Sequence, residues 1–278
     1  MQDFCKIDLQ IQSKGSVILK DFFGFGTGEY PYGRPADGFL SWQHLVLVSI
    51  MVIVGVSLAI ILGKLNKNKD DKTKNTVLIW AAILIDGFEI AKIIIGSVKD
   101  PSYWRVSLPL FLCSIQLITI PLAAFSKGRF KEASLDFVLI FGILGGILGT
   151  VGAAQNYNAY PAFSWPNVVS GITHTISAFA SIYIAVSGMT SMKKKNIPIT
   201  FGILFGFGIT AYIVNLILDY NYMFLMNHDG TPYVLLYNLV NGNKILYPIS
   251  VMLLFVVYVS MFYAIYLKIQ KRKIQKLQ

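Results

Sequence analysis

Leu108–Pro121 reads "LPLFLCSIQLITIP", an apolar run carrying a thiol at Cys113 and an amide at Gln116 among leucines and isoleucines. A helix bathed in lipid on every side gains nothing from either group, so the run reads as a membrane helix with one face turned toward protein. The surrounding chain fits a bilayer. Of its 278 residues, 55% are hydrophobic and only 14% charged, which is outside the usual range for a soluble globular domain. A spanning helix needs roughly 20 mostly apolar residues, and by that length seven spans are predicted at 41–63, 77–98, 108–125, 135–154, 167–189, 199–219 and 246–267. The expected fold is all-α: a polytopic membrane protein with seven transmembrane helices in one bundle over 41–267. An extracellular arm over 1–40 precedes the bundle, and a basic cytoplasmic tail over 268–278 follows it.

The net charge of +10 is distributed by side. Lys64, Lys67, Lys69, Lys72 and Lys74 follow the first span, Lys127, Arg129 and Lys131 the third, Lys193, Lys194 and Lys195 the fifth, and Lys268, Lys271, Arg272, Lys273 and Lys276 the seventh. The other side holds fewer, most of them spread along the amino-terminal arm. This bias places the amino terminus outside, the carboxyl terminus in the cytoplasm and the chain in the cell membrane as a multi-pass protein. The lysine clusters read as topology signals that meet anionic lipid, and no nucleic-acid partner is expected. Tyr103, Trp104, Tyr157, Tyr160, Trp165, Tyr220 and Tyr222 gather at the opposite rim, where amphipathic rings favour the membrane interface. Cys5 in the arm and Cys113 in a span are expected in different media and make no disulfide.

"FGILGGILGTVGAA" in the fourth span sets Gly142, Gly145, Gly146, Gly149 and Gly152 at three- and four-residue spacing, a surface that lets a neighbouring backbone approach closely. It lacks the strand and lysine of a phosphate-cradling loop.

Ionisable groups within the bilayer cost on the order of 3 kcal/mol each on insertion scales, so they should face the bundle interior and find partners. Asp86, Glu89 and Lys92 fall at i, i+3, i+6 on the second span, which allows a Glu89–Lys92 pair. Asn167, Ser170, His174, Ser177 and Ser181 form one stripe on the fifth. Tyr212, Asn215, Asp219 and Tyr222 do the same on the sixth, and His44 stands at the outer end of the first. His44, Glu89, Lys92, Cys113, Gln116, His174, Asn215 and Asp219 are therefore expected to line one cavity in the outer half of the bundle.

A thiol beside an imidazole is the minimum set for covalent acyl transfer. His174 would take the proton, Cys113 would attack an ester, and Gln116, Asn215 or Lys92 would donate to the oxyanion. A site of this kind suits a lipid ester, with membrane lipids as partners. The three histidines, His44, His174 and His228, lie on separate elements without ligand spacing, so no metal and no cofactor is expected. The alternative is a proton- or ion-coupled small-molecule transporter that uses Asp86, Glu89 and Lys92 as a relay. Oligomeric state is left open.

The residues that carry these candidates also carry a resemblance. "LPLFLCSI", "THTISAFASIYI" and "NLILDYNYMFL" followed by "LYP" resemble the YwaF-like bacterial integral membrane protein family, which is distantly similar to a eukaryotic multi-spanning phospholipid acyltransferase family. The resemblance runs from Trp42 to the last span. It implies a nucleophile at Cys113, a catalytic histidine at His174, and a signature at Asn221–Leu225 that includes Tyr222. Many members have histidine where this chain has Phe111, so one polar partner of that family's site is replaced by a ring.

Overall fold

The computed structural model of the chain describes residues 15–190 and 192–275, so Cys5 and Lys276 lie outside the described residues. Those residues are helical and contain no strand. In chain order the helices are α1 over 15–23, α2 Trp42–Asn66, α3 Asp71–Lys99, α4 Gln116–Phe125, α5 Gly128–Thr150, α6 Ala154–Ala159, α7 Trp165–Ser187, α8 Ile197–Leu218, α9 Val234–Leu239 and α10 Leu246–Gln275.

Local chemistry sets their ends. The Ser41 hydroxyl accepts from the His44 N–H to cap α2, and the Asp70 carboxylate accepts from the Thr73 N–H at 2.6 Å to cap α3. Proline in the first turn starts α7 and α8, where its missing N–H costs no intrahelical bond. Gly188, at φ 74°, ends α7 in the left-handed conformation that glycine adopts without strain. α10 continues past the expected boundary at 267, because the lysines, arginine and glutamines of the expected tail are good helix formers.

Among the described residues, five helical stretches are long and apolar enough to cross a bilayer: Trp42–Asn66, Gly128–Ala159, Trp165–Ser187, Lys194–Leu218 and Leu246–Arg272. α2 presents Ile50, Ile53, Val54 and Leu58 outward, α8 presents Ile209, Ile213, Leu216 and Ile217, and α10 presents Leu253, Leu254 and Val257. Such broad apolar faces are stable against hydrocarbon and not against water. α3 has the length, at 29 residues, but carries Asp86, Glu89 and Lys92 in its second half.

The remaining expected span is corrected by the structure. A helix was predicted over 108–125, yet only Gln116–Phe125 is helical, and Leu108–Ile115 forms turns. At about 1.5 Å per residue, ten residues cover roughly half of the ~30 Å hydrocarbon core. Pro109 has no N–H and disfavours the helical conformation at Leu108. The Ser114 hydroxyl then accepts from the Phe111 N–H at 3.0 Å and donates to the Phe111 carbonyl at 3.1 Å. Those local bonds satisfy backbone groups that a helix would otherwise use. Irregular backbone at membrane depth is tolerated where protein buries it or a cavity borders it.

α5 and α7 form the centre of the bundle, with α4, α3 and α2 packed around them. Their contact is close because α5 presents glycine: a Cβ at Gly142 would stand 2.6 Å from the Ser177 carbonyl, and one at Gly146 2.6 Å from the Ala178 methyl. The Ser181 hydroxyl ties α7 to the Leu139 carbonyl of α5 at 2.7 Å.

At the lysine-rich end, Asp136 is fully buried and accepts four hydrogen bonds. Thr190 Oγ1 (2.7 Å) and the Met192 N–H (3.1 Å) reach Oδ1, while Asn196 Nδ2 (3.0 Å) and the Tyr263 hydroxyl (3.1 Å) reach Oδ2. One carboxylate thereby joins α5, the α7–α8 connection and α10.

At the opposite end, residues 15–40 are folded onto the bundle as a cap. The Phe22 and Phe23 rings lie 6.0 and 5.2 Å from that of Trp165, and Tyr32 meets Tyr160 at 5.4 Å. Asp37 pairs with Arg34 and accepts from the Ala162 N–H at 2.7 Å, and the Phe39 N–H donates to Asn158 Oδ1 at 2.8 Å.

Candidate active site

Cys113 and His174 approach each other across the interior of the bundle, each within interaction range of the other's side chain. Cys113 rides on the turn just before α4, with its own backbone N–H and that of Ser114 directed toward the sulfur. His174 is held from the other side. Its Nδ1 lies 2.6 Å from the Ser170 carbonyl one turn earlier on α7, and because a carbonyl oxygen only accepts, Nδ1 carries the proton. The neutral ring therefore has its lone pair on Nε2, the nitrogen left for the thiol. Both residues are only half-buried.

The glycine face of α5 makes room for this pair. A Cβ at Gly149 would overlap the His174 ring, and one at Gly145 would stand 3.4 Å from Cys113 Cα. The two glycines, one helical turn apart, lie against Cys113 and His174.

Glu89 and Lys92 form an ion pair at 2.7 Å, and the Lys92 charge lies within electrostatic range of His174 and of Tyr160 beneath the cap. Gln116 is buried at 0% exposure. Its Oε1 accepts from the Thr119 hydroxyl at 2.9 Å, while its Nε2 is buried without a partner among the described residues. Tyr233, just ahead of α9, lies within electrostatic range of Cys113. Nothing in the loop sequence around it signals that position.

The other sequence candidates are placed elsewhere. His44 is fully buried, with Nδ1 accepting from the Leu40 N–H at 3.1 Å and Nε2 donating to the Thr150 carbonyl at 3.2 Å, so both ring nitrogens are engaged in joining the cap to the end of α5. Asn215 spends its amide on one backbone unit: Oδ1 accepts from the Tyr222 N–H at 2.6 Å, and Nδ2 donates to the Tyr222 carbonyl at 2.9 Å. Asn221 binds the backbone of Met226 and Asn227, and Asp229. Asp219 ends α8 with a left-handed backbone at φ 51°. With Phe111, Gln155, Asn221 and Asp229 it lines a polar cavity of about 320 Å³. Cys113 and His174 are not among the residues that line that cavity.

The loop after α8 nevertheless acts on the thiol's surroundings. The Tyr222 hydroxyl donates to the Arg105 carbonyl at 2.5 Å and accepts from the Leu108 N–H at 3.2 Å, and its ring meets Phe111 at 5.0 Å. Asn215 thus fixes Tyr222, and Tyr222 fixes the chain that leads into the Cys113 turn. Met223 and Phe224, both at φ 56°, take left-handed conformations rare for non-glycine residues, a strain that persists where surroundings over-determine it.

The TMEM164 family matches the chain over residues 39–266, which takes in every element that builds this site. The chain belongs to the TMEM164 family. It is an integral membrane protein of that family, and the matched region holds Cys113, His174 and the Asn215–Tyr222 clamp together. The TMEM164 match begins at the cap's junction with α2 and ends inside α10. No curated protein and no solved structure matches the chain.

Proposed function

We propose that the protein is a lipid acyltransferase or thiol-dependent lipid ester hydrolase in which Cys113 is the nucleophile and His174 the base. What supports this reading is the approach of thiol and ring, with Nδ1 held by the Ser170 carbonyl, which leaves Nε2 for sulfur. His174 takes the thiol proton as sulfur attacks the carbonyl carbon of a lipid ester. The Gln116 Nε2, buried without a partner among the described residues, is the donor we assign to the tetrahedral oxyanion. Its collapse breaks the ester C–O bond, and the imidazolium returns its proton to the departing lipid alcohol. The thioester left on Cys113 is then taken by an acceptor hydroxyl, or by water, with His174 again as base.

The resemblance of the Cys113, His174 and Asn221–Leu225 segments to the YwaF-like family, and through it to a phospholipid acyltransferase family, supports this reading. We further assign seven spans in the cell membrane, counting α3 and the α4 half-helix, with the lysine-rich end cytoplasmic under the positive-inside rule.

The test is labelling of the purified protein by an acyl-mimetic thiol probe in a Cys5→Ala background. Cys113→Ala is expected to abolish labelling and His174→Ala to slow it strongly, with both variants folded. Labelling that survives Cys113→Ala removes the proposal.

A further inference from the structure

An apolar groove of about 520 Å³ runs between α8 and α10. Gly208 and Leu225 are buried at its base, while Ile249 and Leu253 on its rim are 50% and 57% exposed, so it opens sideways from the bundle. Its depth depends on the missing side chain at Gly208, where a Cβ would stand 2.5 Å from Met252 Cε. Met252 is an unbranched, adaptable wall. Among the lining residues, Tyr212 alone brings a polar atom.

The groove follows the helix axes. From Ile245, beside the first residue of α10, to Leu253 is about 12 Å at 1.5 Å per residue, close to the depth of one leaflet in a ~30 Å hydrocarbon core. It begins beside the first residue of α10 and ends two turns along that helix. A slot of that length, direction and lining, open to lipid and closed behind, matches a single hydrocarbon chain. We infer that it holds one acyl chain of a glycerophospholipid from the leaflet at the capped end. The exposed face of α2, with Ile53, Val54 and Leu58 turned outward, is the ordinary lipid contact against which a seated chain differs. The inference stands whether or not Cys113 reacts.

The full chain, placed in phosphatidylcholine nanodiscs containing phosphatidylcholine with a photoreactive diazirine midway along one acyl chain, is irradiated and its adducts mapped by mass spectrometry. Adducts at Tyr212, Ile249 and Met252 are expected severalfold above those at Ile53, Val54 and Leu58. Gly208→Leu, which fills the groove, should bring them down to the α2 level and leave the α2 adducts unchanged. Ile249→Trp serves the same purpose from the rim if the first variant does not fold. Groove adducts no stronger than those on α2, or undiminished in a folded filled variant, overturn the inference. So do protein–protein crosslinks through this face, which would make a second copy the occupant.

Discussion

Gly149 of α5 lies flush against the His174 ring, so that the hydrogen on its Cα occupies the only space a side chain would have there. The ring's position beside Cys113 is thereby set by a residue without functional groups. Gly149→Ala must push the imidazole aside. Displacement of a reacting group by about 1 Å costs on the order of a hundredfold in rate, and probe labelling of Cys113 should slow by about that factor. Gly202→Ala and Gly206→Ala, where a Cβ meets nothing within 4 Å, should label at the parent rate. Equal rates in all three variants would refute the positioning role.

Tyr222→Phe removes the hydroxyl that joins the Arg105 carbonyl to the Leu108 N–H. Leaving such groups without their partner costs about 1–3 kcal/mol. Thermal unfolding should fall accordingly, and Cys113 labelling should slow in the folded fraction because the turn loses its anchor. A drop in stability with labelling unchanged would mean that the clamp does not reach the thiol.

Asp136→Asn puts an NH₂ donor among four donors at the lysine-rich end. Breaking such a buried network costs about 3 kcal/mol. The expected result is a markedly lower unfolding temperature, with the labelling rate per folded molecule preserved. Wild-type stability would show that the four bonds contribute little.

The cap should be sensitive to acid through Asp37. Burial raises the carboxyl's pKa, but the Arg34 guanidinium and the Ala162 N–H outweigh it and hold the group below its ordinary value. A group lowered on folding stabilises fully above its unfolded pKa of about 3.9, and the contribution is lost as pH falls through the lower folded value. Hydrogen exchange at Gly38 and Phe39 should accelerate below about pH 4, and Asp37→Asn should remove that step. Exchange that is flat with pH in the parent would sink this assignment.

The stripe of α7 was legible because three- and four-residue spacing of Asn167, Ser170, His174, Ser177 and Ser181 survives any packing arrangement, and all but His174 are fully buried in the structure. The interruption before α4 was not, since Leu108–Ile115 is as apolar as the helix that follows. What breaks it is one serine hydroxyl turning back on Phe111 and a tyrosine from a distant loop. His44 and Asn215 carried the same chemical signature as His174, and composition cannot tell a side chain turned toward another span's thiol from one spent on neighbouring backbone. Asp136 was passed over because it lies at the first turn of a predicted span, where an acid looks solvated. The glycines of α5 were legible as a packing surface, but which residues they packed against depended on the interruption that the apolar pattern hid.

α3 has a consequence for biogenesis. Three ionisable side chains in its second half, each costing on the order of 3 kcal/mol at mid-bilayer, make it a poor candidate for solitary partitioning out of the translocon. Its Glu89–Lys92 pair softens that barrier, yet Asp86 has no cation of its own on the helix. Under the seven-span assignment, stable integration of α3 therefore draws on α4 and α7, the partners against which it packs.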